Sequence, residues 1–145
     1  GGGEAVDAPS VAPAAGSAGA PARAETTSPV DWAGLNARFG GRVGFIGRLA
    51  ATVREAHAQT PQHLRTAAEA GDLTTMTELA HSLKGMAGNI MATPLVDLAR
   101  RTERAARAGL ADAPFLCLQL AAALDELLAA LGEHFEQTAE GRPVG

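Results

Sequence analysis

The chain has 145 residues and a formal net charge of −4, which provides no global electrostatic footprint for nucleic acid. Aromatic residues make up only 3 % with no Tyr, and strands favour aromatic and β-branched side chains, so the composition predicts helix. A single cysteine excludes an internal disulfide, and Cys117, set among Leu116, Leu118 and Leu120, is expected to be a buried, reduced thiol.

Residues 1–28 are Gly, Ala, Pro and Ser with scattered charges. Such a stretch cannot bury enough surface to offset its ordering entropy, so a disordered linker is expected there. Order is expected from residue 29. Asp31 is a suitable N-cap for a short helix over 32–39, with Val30 placed to pack on Leu35 and Gly40-Gly41 as the stop. The next helix is expected from Arg42 to about Gln59, burying Phe45, Ile46, Leu49 and Val53. Thr60-Pro61 opens a third, which carries Leu64, Ala67 and Ala68 and stops at Gly71.

Asp72 caps a helix expected to run from Leu73 to about Met91, with Met76, Ala80, Leu83, Ala87 and Ile90 as its buried stripe. Residues 94–108 bury Leu95, Leu98, Ala99, Thr102 and Ala106. Their other face holds Arg100, Arg101, Arg104 and Arg107, with Asp97→Arg101 and Glu103→Arg107 in the favourable i,i+4 order. After Gly109, the last helix repeats Leu116, Leu120, Leu124, Leu127, Leu131 and Phe135, and a disordered tail is expected over 139–145. There is no strand signal, and no run of 18 or more apolar residues, so no membrane span is expected. The expected fold is an all-α, antiparallel up-down four-helix bundle over 29–138, with a short additional N-terminal helix.

Four histidines invite a functional reading: His57, His63, His81 and His134. None lies three or four residues from another, so the spacing for a helical zinc site is missing, and no phosphate-cradling loop or Gly-x-Ser-x-Gly elbow occurs. No metal or cofactor is expected. His81 differs from the others. It sits one residue off the buried stripe, with Lys84, Gly85 and Gly88 at three, four and seven residues further on, and therefore on its side of the helix. Glycine costs about 1 kcal/mol relative to alanine inside a helix. Two beside one histidine suggest that another molecule must approach the imidazole closely.

Ala80-His81-Ser82-Leu83-Lys84-Gly85, followed by Ala87-Gly88-Asn89, resembles the signature of histidine phosphotransfer domains of multistep phosphorelays. The frame fits too: Arg38-Phe39-Gly40-Gly41, Ala70-Gly71-Asp72, and Leu98-Ala99 with Glu103. The resemblance implies that His81 is the phosphoacceptor, with Nε2 as the reactive nitrogen, and that Lys84 sits beside the phosphoryl group. It implies a receiver-docking rim of Thr77, Glu78, Gly85 and Gly88. One position departs from the pattern: the family usually has a glycine where Met91 stands. The chain offers no further catalytic groups, so the resemblance implies a phosphoryl carrier rather than an autonomous enzyme. Its implied partners are receiver domains, of response regulators or of a parent hybrid kinase, and Mg²⁺ is expected on the receiver. No nucleic acid or direct membrane contact is expected, and the isolated domain is expected to be a cytoplasmic monomer, or the cytoplasmic C-terminal part of a sensor kinase. A chemotaxis-type phosphoacceptor domain and a non-phosphorylated helical docking module are the alternatives.

Overall fold

Short side chains and glycines set most helix boundaries. The computed structural model describes residues 28–141, with side chains through His134. It is helical, with no strand among the described residues: α1 (Trp32–Arg38), α2 (Val43–Ala56), α3 (Thr60–Ala70), α4 (Leu73–Asn89), α5 (Thr93–Ala108) and α6 (Ala113–Gly141). The linker expected over residues 1–28 lies outside the described residues, except for Ser28, and so do residues 142–145 of the tail. The Asp31 carboxylate accepts from the Gly34 N–H at 3.0 Å, and that of Asp72 from the Thr75 N–H at 3.1 Å and its hydroxyl at 2.7 Å. Each supplies an acceptor that the first helical turn lacks. Gly71 and Gly109 end α3 and α5 in the left-handed region, at φ 66° and 67°.

The stripes meet as expected with three exceptions, and the side chain of Phe135 lies outside the described residues. Buried residues of α2 are Ile46, Ala50 and Val53, while Leu49 is half-buried and Phe45 is exposed. Phe45 stands about 100° round the helix from Ile46. It packs against Phe39, with ring centroids 5.0 Å apart, and lies under the Arg42 guanidinium instead of entering the core. Leu98 is likewise half-buried.

α3 packs against α4 and α6, α5 against α4 and α6, α2 against α6, and α1 against α2. The α4–α5 pairing is the most extensive. Ala80 and Ala87 of α4 and Ala99 and Ala106 of α5 are buried, and side chains this small let two helix axes approach closely. Leu120, Leu124, Leu127 and Leu131 of α6 are at most 1 % exposed, each stabilising the fold by roughly 1.5–3 kcal/mol before ordering costs. By length and mean hydropathy (1.7), Ala113–His134 is apolar enough to cross a membrane. Leu116, Leu120, Leu124, Leu127 and Leu131 are buried as one stripe, whereas Leu118 is exposed and Asp125, Glu126 and Glu133 stand on the solvent side, the pattern of a core helix.

Polar ties join these layers. The Cys117 thiol donates to the Leu64 carbonyl at 3.3 Å, tying α6 to α3, and burial pushes its pKa up to about 11. Asp31 N–H donates to the Met91 carbonyl at 3.0 Å, and Trp32 stacks on His134 at 3.8 Å. Together these hold α1 against the α4–α5 turn and against α6.

Candidate functional site

The alanine seam that draws α4 and α5 together also decides what stands along its edge. His81 follows buried Ala80 and Glu103 follows buried Thr102, so both occupy the rim of their helix's buried stripe. Where the two rims meet, His81 Nδ1 lies 2.9 Å from Glu103 Oε2. Lys84 Nζ donates to the other oxygen, Oε1, at 2.8 Å. Arg107, one turn after Glu103 on α5, donates to Oε2 through Nε at 3.1 Å and Nη2 at 2.6 Å. A single carboxylate thus gathers an imidazole, an ammonium and a guanidinium.

Burial separates the members of this cluster. The Glu103 side chain is only 8 % exposed, against 65 % for His81. The lysine ammonium is the largest influence holding the Glu103 carboxyl down to about 2, with Arg107 and His81 adding to it against the cost of burial. Glu103 is therefore ionised across the physiological range, and an ionised carboxylate can only accept. Nδ1 must be the donor. In the neutral imidazole the lone pair then belongs to Nε2, on the solvent side of a mostly exposed ring.

Gly85 and Gly88 flank this ring, and a Cβ added to either would meet nothing within 4 Å. Internal packing therefore does not call for glycine at either position. What the pair provides is a low, open strip beside His81. Glu78 is exposed on the far side of the ring, whereas the hydroxyl of Thr77 turns inward to the Leu73 carbonyl at 2.8 Å.

Sequence reasoning brought His81, Lys84, Gly85 and Gly88 together and placed Glu103 and Arg107 as an ion pair on a solvated face. The ion pair forms, but Glu103 is buried and belongs to the histidine's site. The signal that could have found it is the matching offset, one residue past the stripe on each of two antiparallel neighbours. The expected Asp97–Arg101 pair does not form: Asp97 binds Arg100 at 3.1 Å, one turn away at i,i+3.

A family model described as Hpt domain matches residues 48–133, more than half of the chain. The chain belongs to the Hpt domain family. No curated protein and no solved structure matches it. Hpt domains carry phosphoryl groups on histidine in phosphorelays and interact with receiver domains.

Within an Hpt frame, Met91 has a backbone explanation. It sits at φ 59° just past α4, where Ala92 N–H closes back onto the Ala87 carbonyl at 2.8 Å. This is the position after a helix end that favours glycine, since a left-handed residue with a Cβ costs roughly 1–2 kcal/mol. The half-buried methionine packs against the core in return. It lies about 15 Å along the helix from His81, given 1.5 Å per residue. The departure thus concerns how the helix ends, not the groups around the imidazole.

Proposed function

We propose that this Hpt domain accepts a phosphoryl group from a receiver aspartate on His81 Nε2 and passes it to a second receiver. The observation that carries this reading is the Nδ1 bond to a buried, ionised Glu103, which orients the ring and leaves the Nε2 lone pair outward. In the forward step that lone pair forms the N–P bond. The acyl phosphate's P–O bond breaks, and its electron pair leaves with the aspartate carboxylate. No proton has to be removed from the nucleophile. The phosphorylated ring keeps its Nδ1–H, and the positive charge it gains faces Glu103.

Such a step is mostly positioning and charge stabilisation, and the chain supplies only half of it. Lys84 provides a mobile positive charge one turn from His81, and Gly85 and Gly88 keep the approach low. Thr77 contributes little to the rim in this reading, because its hydroxyl is taken by the backbone, while Glu78 can meet a partner's cation. Metal chemistry belongs to the receiver. The antiparallel neighbours α3 to α6, with α1 held at the α4–α5 turn, support an up-down four-helix arrangement. The composition of residues 1–28 supports a tether to another domain of a cytoplasmic hybrid sensor kinase.

The test is to incubate the protein with a panel of phosphorylated receivers and follow label on wild type and His81→Gln. Acid-labile, base-stable label is expected on the wild type alone. Label that persists on the variant would overturn the assignment to His81, and a domain that no receiver labels would be a docking module instead.

A further inference from the structure

The Glu103 carboxylate holds more than it needs. Oε2 takes the His81 Nδ1–H and two N–H groups of Arg107, three donors on one oxygen, while Lys84 takes Oε1. A carboxylate oxygen has about two lone-pair directions, so one of the three bonds is supernumerary and cheap to exchange. Arg107 is the member best able to leave. Its side chain is 61 % exposed, and Nη1 makes no bond to the carboxylate. It also cannot be far from the ring, because guanidinium and imidazole both donate to Glu103 Oε2. Beside it, Leu73, Thr74, Thr77, Ala106, Ala108 and Gly109 line a shallow recess in which the side chain has room to turn.

We propose that Arg107 is a second phosphoryl-binding cation of this site, held in reserve by Glu103 and handed to the phosphoryl group once His81 carries it. The proposal rests on phosphorylation of His81 as read above. Before transfer, Arg107 and Lys84 neutralise the carboxylate and keep it ionised, so Nδ1 stays the donor. After transfer, a phosphoryl group bearing up to two negative charges and three acceptor oxygens stands on the neighbouring nitrogen. A guanidinium then exchanges a shared bond on a monoanion for a two-pronged bond to a dianion, which its planar fork fits. Glu103 keeps the Nδ1–H, now on a positively charged ring. The same carboxylate thus stores the cation in one state and balances the ring in the other.

The experiment needs no receiver. Phosphoramidate transfers its phosphoryl group to an imidazole nitrogen, the P–N bond breaking and ammonia leaving. Wild type, Arg107→Gln, Arg107→Lys and Arg104→Gln are charged with it, and the phosphohistidine ³¹P resonance is titrated. Arg104 is exposed on the same helix and serves as the control. A bound guanidinium favours the dianion, so loss of Arg107 should raise the phosphoryl group's proton affinity by about tenfold. The lysine variant should fall between, and Arg104→Gln should match wild type. The Arg107 Nε resonance of the wild type should also shift on phosphorylation. An Arg107→Gln titration that overlays the wild type would overturn the proposal and leave the phosphotransfer reading intact. Absence of phosphohistidine on the wild type would overturn both. Should Arg107→Gln fail to fold, the Arg107→Lys midpoint and the wild-type Nε shift decide alone.

Discussion

Asp97 and Glu103 lie six residues apart on one helix, each with an arginine one turn away, yet they have little else in common. Asp97 is 63 % exposed and holds Arg100 at 3.1 Å at the surface. Glu103 is 8 % exposed and holds His81, Lys84 and Arg107 at once. An exposed pair exchanges water for a flexible partner at little net gain, whereas a buried carboxylate has lost its water and depends on the cations around it. The sequence pattern around the two acids is nearly the same. What separates them is the neighbouring helix, because α4 brings His81 and Lys84 to one and nothing to the other.

The largest effect should come from removing the buried charge while keeping its shape. Glu103→Gln leaves an amide that can present either its oxygen or its NH₂ to Nδ1, so the tautomer is no longer enforced. Lys84 and Arg107 also lose the anion that placed them. Phosphoryl transfer to His81 should slow on the order of 10–100-fold, the usual cost of losing a partner that fixes an imidazole's tautomer and orientation. Rapid-quench labelling by a cognate receiver, with melting followed in parallel, measures this. A rate within threefold of wild type would mean that Glu103 is structural.

Acid should separate the same two residues thermodynamically. The Glu103 carboxyl titrates near 2 in the fold, below its ordinary 4.5. A depressed folded value means that the stabilisation is fully present above the unfolded pKa and is lost as pH falls through the folded one. Stability should therefore decline from about pH 4.5 towards 2 by on the order of 2–3 kcal/mol from this group. Urea midpoints collected across that window should fall less steeply in Glu103→Gln than in wild type. Parallel curves would show that the carboxylate gains nothing from its three partners.

Much of this fold was readable because helix stripes and caps are local. Asp31, Asp72, Gly71 and Gly109 act within one turn of themselves, and Met76, Ala80, Leu83 and Ala87 are a stripe whatever they pack against. Phe45 failed that reading because size suggested burial, while the angle from Ile46 decided otherwise. His81, Lys84 and the two glycines were readable for the same reason, since they share one helix face. Glu103 was not, because its burial depends on which helix lies beside α5 and at what register, and the α4–α5 alanine seam sets that only in three dimensions. Arg107 was visible as a partner for Glu103, but its nearness to the imidazole was not.

The smallest effect sharpens the comparison from its other side. Asp97→Ala removes one surface carboxylate and leaves Arg100 in water, where a guanidinium is already well solvated. Alanine is also the better helix former, which offsets some of the lost pairing. Melting should shift by no more than about 0.5 kcal/mol in either direction, and transfer to His81 should match wild type. Asp97 nevertheless shares a helix face with Arg100 and Arg104, about two turns before Glu103 on α5. A variant with unchanged stability but slower transfer from a receiver, and unchanged labelling by phosphoramidate, would show that the partner's footprint reaches this far along α5. Equal rates with both donors would confine the working part of the helix to Glu103 and Arg107, leaving the Asp97–Arg100 pair as solvated surface.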